Sequence, residues 1–328
     1  MTYAMSIDRL KKIEVRALSH KRLSSADAEF LASISGQDLF ELFSAANRIR
    51  DHFQGNTVDL CCIVNAKSGK CPEDCSFCAQ SSTSRAQITA YPLLDKKKVF
   101  CKAKEAKKGG AKRFCIVTSG RRVPGKELMK IADMVSGVKK LGLLPCATLG
   151  LLTKDDLMFL KRAGLKRYHN NLETSERFFS NICTTHSYSE KIETIRSARE
   201  IGLSVCSGGI FGLGETWKDR IDMAFALRDL DPDSVPINFF IPLPGTTSGS
   251  RKLLEPLDAL KIISLYRFIL PDKQIRVCGG RLQTLGELNS FIFFAGASGL
   301  LIGNYLTTLG RGYADDARLI RNLGLSVR

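Results

Sequence analysis

Residues 58–78, VDLCCIVNAKSGKCPEDCSFC, run from a predicted buried strand into a loop that contains three closely spaced cysteines. The strand portion, VDLCCIVNA, is mostly apolar, as in a parallel sheet that is covered on both faces. From this point onward, short apolar runs alternate with helical patterns of roughly a dozen residues. This alternation predicts repeated βα units around a parallel sheet.

The number of strand candidates favours a closed barrel. Eight short apolar or β-branched runs fit strands, at residues 58–66, 113–119, 144–150, 167–173, 203–209, 235–241, 274–280 and 299–304. Eight strands with intervening helices predict an α/β fold of the (β/α)8 TIM-type barrel, and a doubly wound open sheet is the alternative. Residues 1–55 hold two helix-like segments and no strand pattern. We therefore predict an N-terminal helical extension over 1–55 and a barrel over 56–328, in a single compact domain overall.

The N-terminal residues carry a charged or polar group every few positions, unlike a secretory signal. The apolar stretch 291–303 falls short of the roughly 18 residues that suggest a membrane span, and it predicts a buried helix that runs into a strand. We expect a cytoplasmic protein without a membrane segment. In a reducing compartment, 11 cysteines indicate metal binding or catalysis rather than disulfides.

The net charge of +16 could reflect a nucleic-acid partner. The lysines, however, concentrate in helix-like segments such as residues 95–113, without interleaved arginines and aromatic residues. This pattern favours a solvated basic surface that docks an acidic electron donor, and no nucleic acid.

Cys71, Cys75 and Cys78 follow the first strand with the spacing C-x3-C-x2-C. On a barrel this loop lies at the C-terminal mouth, where active sites are built. Structural zinc usually takes four ligands, whereas a [4Fe-4S] cluster held by three thiolates keeps one iron open for a small chelating molecule. A zinc knuckle or a group of redox thiols is the alternative.

The loop resembles the signature of the radical S-adenosylmethionine (SAM) enzymes, in which an aromatic residue, here Phe77, precedes the third cysteine. The resemblance implies that SAM binds the open iron and is cleaved to a 5'-deoxyadenosyl radical. The segment GGIFGLGE resembles a second pattern of these enzymes, through Gly208, Ile210, Gly212 and Glu215. Glycine lets the backbone approach a ligand closely, and an aliphatic side chain can pack on the adenine ring.

Cys115, Cys146 and Cys206 lie in the second, third and fifth predicted strands. A single buried cysteine is often only a small apolar side chain. Three on nearby strands of a barrel converge inward, which makes them candidate ligands of a second iron-sulfur cluster. Arg276 and Cys278 are two residues apart in the seventh strand, so they share a face of a regular strand and are candidates for the fourth ligand.

Nearly the whole chain resembles the biotin synthase family, in segments that include NLETS, NICTT, VCSGGIFGLGET and IRVCGGR. The resemblance implies insertion of sulfur between C6 and C9 of dethiobiotin, with an auxiliary cluster, commonly [2Fe-2S], as the sulfur donor. In the family three cysteines and an arginine hold this cluster, which implies the ligands Cys115, Cys146, Cys206 and Arg276.

The resemblance also implies roles for single residues. Asn171 and Asn238 match asparagines that hold the ureido ring of dethiobiotin, and Glu173 matches an aspartate that contacts the ribose of the deoxyadenosyl group. Arg113 matches a residue that braces the ligand arginine, and Lys67 matches a lysine near the cofactor. Asn171 could instead be a turn residue, and Asn238 a polar strand residue whose hydrogen bonds are made within the protein. Lys67 could be a solvated side chain.

Cys278 and Cys61 replace serines of better-studied family members. Thiolate is a better iron ligand than arginine, whose guanidinium normally stays protonated. An auxiliary 4Fe-type cluster with four cysteine ligands is therefore the alternative to [2Fe-2S]. No role follows from the sequence for Cys61, Cys62, Cys101 or Cys183.

The resemblance implies an external one-electron donor, for which we expect a flavodoxin or a ferredoxin, and we also expect a homodimer. A related radical SAM enzyme of the hydrogenase-maturation or pyrrolysine-biosynthesis type is the alternative function, because it shares the barrel and the three-cysteine loop. A basic zinc- or nucleic-acid-binding module is the alternative outside the enzymes.

Overall fold

The computed structural model of the chain describes residues 3–306 and 310–328. The strands within these ranges are β1 (Thr57–Lys67), β2 (Arg113–Thr118), β3 (Leu144–Thr148), β4 (Arg167–His169), β5 (Ser204–Cys206), β6 (Gly209–Phe211), β7 (Ser234–Phe239), β8 (Gln274–Val277), β9 (Gly299–Leu301) and β10 (Ser326–Val327). Every predicted strand coincides with an observed one. The two-residue β10, which pairs with the start of β1, was not predicted because it is too short to show a period.

The strands run parallel in the order β1-β2-β3-β4-β5-β7-β8-β9, and β9 pairs back onto β1. The closing pair aligns Leu60 with Leu300. An open doubly wound sheet would leave both edge strands unpaired, so this pairing excludes that alternative. The prediction of an α/β fold with a (β/α)8 TIM-type barrel is confirmed.

The fifth predicted strand, residues 203–209, is divided in the structure into β5 and β6. Ser207 and Gly208 separate the two parts, and β6 then pairs with β7. A Cβ atom on Gly208 would lie 2.0 Å from the carbonyl oxygen of Pro236, so only glycine fits where the two backbones come this close.

The helices lie around the barrel and on its N-terminal side. They are α1 (Tyr3–Leu18), α2 (Ser25–Ser33), α3 (Asp38–Gln54), α4 (Lys96–Lys108), α5 (Gly125–Lys140), α6 (Lys154–Ala163), α7 (Glu176–Phe179), α8 (Tyr188–Glu200), α9 (Trp217–Leu230), α10 (Pro256–Ile269), α11 (Arg281–Leu285), α12 (Phe291–Phe294) and α13 (Tyr313–Asn322). Several begin with a reciprocal capping box, as Thr216 and Asp219 do at α9. Such caps satisfy backbone N–H groups that the helix itself leaves unpaired.

The N-terminal part contains three helices where the sequence predicted two. The short α2 begins at a capping box formed by Ser24 and Asp27, and it buries one apolar face that includes Leu31. A nine-residue helix shows little periodicity in the sequence, which explains the discrepancy. The segment packs on outer helices of the barrel, where Arg228 of α9 donates to the Leu23 carbonyl at 2.9 Å.

The apolar stretch 291–303 forms α12 and then β9, the predicted helix and strand. Among the residues that the structure describes, no helix has both the length and the apolar character needed to cross a bilayer.

Candidate active site

A cavity of about 360 Å³ lies inside the barrel and opens toward the C-terminal ends of the strands. Residues from most strands line it. Those that the sequence predicted as site residues are Phe77, Arg113, Cys115, Cys146, Asn171, Glu173, Cys206, Ile210, Asn238, Arg276 and Cys278. The fold thus brings residues that are far apart in the chain into a single chamber.

Five cysteine side chains line this cavity: Cys61, Cys115, Cys146, Cys206 and Cys278. Cys115 and Cys146 are register partners on β2 and β3, so their side chains point to the same side of the barrel wall. Burial raises the pKa of Cys115 and of Cys146, and it raises that of Cys278 to about 12. Cys115, Cys146 and Cys278 are therefore neutral without metal, and metal binding would release their protons. A convergent set of soft thiols fits an iron-sulfur cluster.

Arg276 is buried at the floor of the cavity, and protein groups occupy both of its terminal nitrogens. Nη1 donates to the carbonyls of Asp59 at 2.9 Å and Leu300 at 3.1 Å. Nη2 donates to the Asp59 carboxylate and to Gln274 Oε1, the latter at 2.8 Å. Burial opposes the charge, but the Asp59 carboxylate and the neighbouring cavity cysteines together outweigh burial and raise the pKa of Arg276. The guanidinium is therefore held as a cation.

Asp59 is a site residue that the sequence analysis missed. Its carboxylate also accepts from Arg113 Nε at 3.3 Å, so Arg113 reaches Arg276 through Asp59. Burial would raise the pKa of Asp59, but Arg276 and then Arg113 lower it to about 2. The available signal was a carboxylate inside an otherwise apolar strand, which requires a buried cation as partner.

Asn171 and Asn238 face the cavity and also hold the backbone around β6. Asn171 Oδ1 accepts from the Gly208 N–H at 3.1 Å, and its amide donates to Glu173 Oε2 at 3.2 Å. Asn238 accepts from the Gly279 N–H and donates to the Gly209 carbonyl, both at 3.1 Å. A carboxamide has two N–H donors and two acceptor lone pairs, so each side chain keeps one of each for a ligand.

Glu173 has a φ of +72°, a left-handed conformation that costs energy for a residue with a Cβ atom. Its carbonyl accepts from the Ile210 N–H at 2.9 Å, which fixes the turn against β6. Burial raises the pKa of the Glu173 carboxyl group. The strained turn places this carboxyl group in the cavity wall beside Asn171.

The three-cysteine loop follows β1 at the mouth of the barrel, as predicted. Phe77 lies in the cavity wall, whereas Cys71, Cys75 and Cys78 are half-buried beside it. Burial raises the pKa of Cys71, and it raises that of Cys78 to about 11. Three such thiols in one loop fit a [4Fe-4S] cluster with one open iron.

Lys67 does not line the cavity. Its Nζ atom forms an ion pair with Glu127 at 2.8 Å, on the side of the loop that faces α5.

The GGIFGLGE segment is held by Glu215. Its carboxylate accepts from the N–H groups of Gly212 at 3.0 Å and Leu213 at 2.7 Å, and from Arg220 Nε at 2.8 Å. Gly212 has a φ of +98°, which favours glycine. Among the residues of this pattern, Ile210 lies in the cavity wall, while Gly208 and Gly212 shape the backbone around it.

His169 is a second cavity residue that the sequence analysis missed. Its Nδ1 atom lies 2.9 Å from Thr148 Oγ1, which is 3.4 Å from Cys115 Sγ. Burial lowers the pKa of His169 to about 4, so the imidazole is neutral at physiological pH. A polar residue within the predicted strand RYHNNLE was the available signal.

Comparison with known proteins identifies the family. Residues 66–227 match the Radical SAM superfamily, and residues 236–326 match the Biotin and Thiamin Synthesis associated domain. The chain is 52% identical over 300 residues to the biotin synthase of Thermodesulfovibrio yellowstonii, covering 92% of this chain and 95% of that protein. It is 48% identical over 320 residues to the biotin synthase of Geobacter metallireducens, covering 97% of each.

The chain belongs to the biotin synthase family. The predicted family is thereby confirmed, and with it the expectation of a radical SAM enzyme. Membership of the biotin synthase family implies a [4Fe-4S] cluster, SAM and an auxiliary iron-sulfur cluster. The cysteines of the three-cysteine loop and the cysteines of the cavity both suit such clusters.

Two solved structures share the barrel of this biotin synthase family member. Methylornithine synthase superimposes with a TM-score of 0.85 at 23% identity, covering 96% of this chain and 97% of that chain. The FeFe-hydrogenase maturase HydG from Carboxydothermus hydrogenoformans has a TM-score of 0.81 at 17% identity, covering 98% and 79%. At these identities the likeness shows the fold alone, so the alternative functions of the pyrrolysine and hydrogenase-maturation type gain no support from it.

Proposed function

We propose that this chain inserts sulfur between C6 and C9 of dethiobiotin to form biotin. One observation carries the proposal: the buried thiols, the two asparagines and Phe77 of the three-cysteine loop line the same cavity. When bound, the [4Fe-4S] cluster and SAM supply the radical that abstracts hydrogen, and the auxiliary cluster supplies the sulfur. The chain holds these groups and the substrate within reach of one another and shields them from water.

In this proposal Cys71, Cys75 and Cys78 hold the [4Fe-4S] cluster. Phe77, Glu173 and Ile210 line the SAM side of the cavity, with Gly208 and Gly212 shaping the backbone behind them. Lys67 would act only at the edge of this site. It lies outside the cavity, and its ammonium group is paired with Glu127.

The auxiliary cluster would take Cys115, Cys146 and Cys206, with Arg276 or Cys278 as the fourth ligand. We favour Cys278, because its thiol lies in the same cavity and loses a proton far more readily than a guanidinium. Arg276 would have to give up both its proton and its bonds to Asp59. Four thiolates can hold a 4Fe-type cluster as well as a [2Fe-2S] cluster, so iron and sulfide analysis decides between the two. Arg276 and Arg113 would then act as buried cations beside it.

Asn171 and Asn238 would bind the ureido ring of dethiobiotin. This ring presents N–H donors and a carbonyl acceptor, which match the free donor and lone pair of each carboxamide. Because both asparagines also hold the backbone at residues 208–209, they are rigid before substrate arrives. Preorganisation of this kind lowers the entropy cost of binding.

Electrons would come from a flavodoxin or a ferredoxin. The exposed lysines of α4 belong to a basic outer surface that suits an acidic donor. The proposal also retains a homodimer, a cytoplasmic location without nucleic-acid partners, and a division into an extension over 1–55 and a barrel over 56–328.

The direct test is anaerobic incubation of the reconstituted protein with SAM, dithionite or a flavodoxin system, and dethiobiotin, followed by mass spectrometry. We expect biotin together with about two molecules of 5'-deoxyadenosine for each biotin, one for each hydrogen removed. A Cys71→Ala variant is the matched control and should form neither product. 5'-Deoxyadenosine without biotin, from protein with both clusters intact, would contradict the proposed substrate.

A further inference from the structure

Cys183 and His186 lie between α7 and α8, outside the cavity, yet they contact the three-cysteine loop. Cys183 Sγ is 3.8 Å from Cys75 Sγ and 3.8 Å from His186 Nε2. All three side chains offer a metal-binding atom, and these atoms lie within 4.8 Å of one another. Cys183 is buried, and the side chain of His186 is only 7% exposed.

The distances from Cys183 Sγ to Cys75 Sγ and to His186 Nε2 are close to those of tetrahedral coordination. With metal–sulfur bonds of about 2.3 Å and metal–nitrogen bonds of about 2.0 Å, two sulfurs lie about 3.8 Å apart and a sulfur and a nitrogen about 3.6 Å apart. The observed separations of 3.8 Å need little adjustment to meet both values. They are also too long for a disulfide, whose sulfurs are about 2.0 Å apart.

Glu73 orients the imidazole for such a role. Its carboxylate binds His186 Nδ1 and also accepts from Thr185 Oγ1 at 2.7 Å. Metal-binding histidines commonly donate their second ring N–H to a carboxylate, which leaves the other nitrogen for the metal. Although Nδ1 is 3.2 Å from Cys183 Sγ, it is occupied by Glu73, so Nε2 is the available ligand atom.

Asp74 ties the two segments together, which makes the arrangement rigid. Its carboxylate accepts from the N–H groups of Thr184 at 2.9 Å and Thr185 at 3.2 Å, and it lies 3.2 Å from Cys183 Sγ. Two segments that are more than 100 positions apart in the chain are thereby held in contact. A site with three ligands leaves a fourth position for water or a small ligand.

We infer that Cys75, Cys183 and His186 form a mononuclear site for a thiophilic divalent cation, such as Zn²⁺ or Fe²⁺, in the cluster-free protein. Two thiolates and an imidazole are the donors that such ions prefer. Cys75 is also a proposed ligand of the [4Fe-4S] cluster, so the ion and the cluster exclude each other. This part of the inference rests on the proposed function. The cluster-free loop would thus be protected by a metal before the cluster is assembled.

The test uses cobalt(II) alone as a spectroscopic probe on the full chain, kept anaerobic and free of clusters. The background variant is Cys71→Ser/Cys78→Ser, which removes the competing loop thiols and retains the three inferred ligands. We expect this variant to bind one more equivalent of cobalt than the same variant with Cys183→Ser added. The cavity thiols are present in both proteins and cancel in the comparison. The difference spectrum should show a sulfur-to-cobalt charge-transfer band and the visible bands of a tetrahedral ion.

A second variant, His186→Gln in the same background, keeps both thiols and should weaken cobalt binding at least tenfold. Cys101→Ser, which removes an exposed cysteine on α4, is the control and should bind cobalt like the background protein. Equal cobalt stoichiometry and equal spectra with and without Cys183 would overturn the inference, as would a Cys75–Cys183 disulfide that persists after treatment with a thiol reductant under anaerobic conditions. Neither result depends on whether biotin is formed, so failure of the metal site and failure of the proposed function remain separable.

Discussion

The carboxylate of Asp59 accepts a hydrogen bond from the guanidinium of Arg276 at the floor of the barrel, where both side chains are almost completely buried. The same carboxylate also binds Arg113. One anion therefore balances two cations beneath the proposed auxiliary cluster, and it keeps Arg276 protonated and turned toward protein groups.

Replacement of Asp59 by asparagine should destabilise the protein strongly. The change leaves the buried Arg276 cation without its anion, which typically costs about 3–5 kcal/mol. Equilibrium denaturation of the cluster-free protein measures the loss. The matched control is Asp133→Asn, which breaks an exposed ion pair with Lys96 and should leave the midpoint nearly unchanged. Equal effects of the two substitutions would show that Asp59 does not balance a buried charge.

Replacement of Cys278 by serine should alter the auxiliary cluster. If Cys278 supplies the fourth thiolate, the variant should lose iron from this cluster or show a changed Mössbauer spectrum, while the [4Fe-4S] signal of the loop persists. Iron and sulfide analysis of the unmodified protein gives the nuclearity independently. A Cys101→Ser variant controls for the loss of a cysteine outside the cavity. An unchanged iron spectrum would remove Cys278 from the ligand set and restore Arg276 as the candidate.

Replacement of Asn171 by alanine should impair use of dethiobiotin. The variant loses a hydrogen bond to the substrate and the bond that holds the Gly208 N–H, so we expect kcat/KM to fall by about 10- to 100-fold. Mass spectrometric assays at several dethiobiotin concentrations separate KM from kcat. Asn181→Ala, at an exposed position beyond α7, should behave like the unmodified protein. Wild-type kinetics in Asn171→Ala would place the ureido ring elsewhere.

Asp219 should make stability depend on pH in the acid range. Its carboxylate caps α9 through Thr216 and accepts from Ser175 Oγ at 2.7 Å and Arg177 at 2.6 Å. Burial opposes its charge, but these hydrogen bonds and Arg177 outweigh burial and lower the pKa of Asp219 below its usual 3.8. The unfolded chain then takes up the proton first, so this contribution is complete above pH 3.8 and is lost as the pH falls further.

Asp219→Asn should therefore reduce the free energy of unfolding by about 1–3 kcal/mol at neutral pH, and the difference from the unmodified protein should shrink in acid. Denaturant titrations of the cluster-free protein between neutral and acid pH provide the measurement. Asp222→Asn on the same helix changes only an exposed pair with Lys218 and serves as control. A difference that stays constant with pH would argue against a lowered pKa for Asp219.

The sequence by itself determined the barrel and most of the site. Alternating apolar and helical patterns record local burial, so eight strands and the order of the units were visible without coordinates. The three-cysteine loop is a local motif with a known chemistry, and the family resemblance supplied Asn171 and Asn238. What local patterns cannot record is the register between strands that are distant in the chain.

Only the tertiary structure decided which of these residues meet. The register of β1 against β2 and β9 sets Asp59 between Arg113 and Arg276. The backbone of Pro236 approaches Gly208, which lies between the two parts of the fifth strand. The contact of Cys75 with Cys183 joins residues 108 positions apart. Such contacts follow from how the barrel closes and how its loops pack. Contacts of this kind produce no periodic pattern in the sequence, so they cannot be predicted from it. They nevertheless determine where charges, thiols and ligands come together.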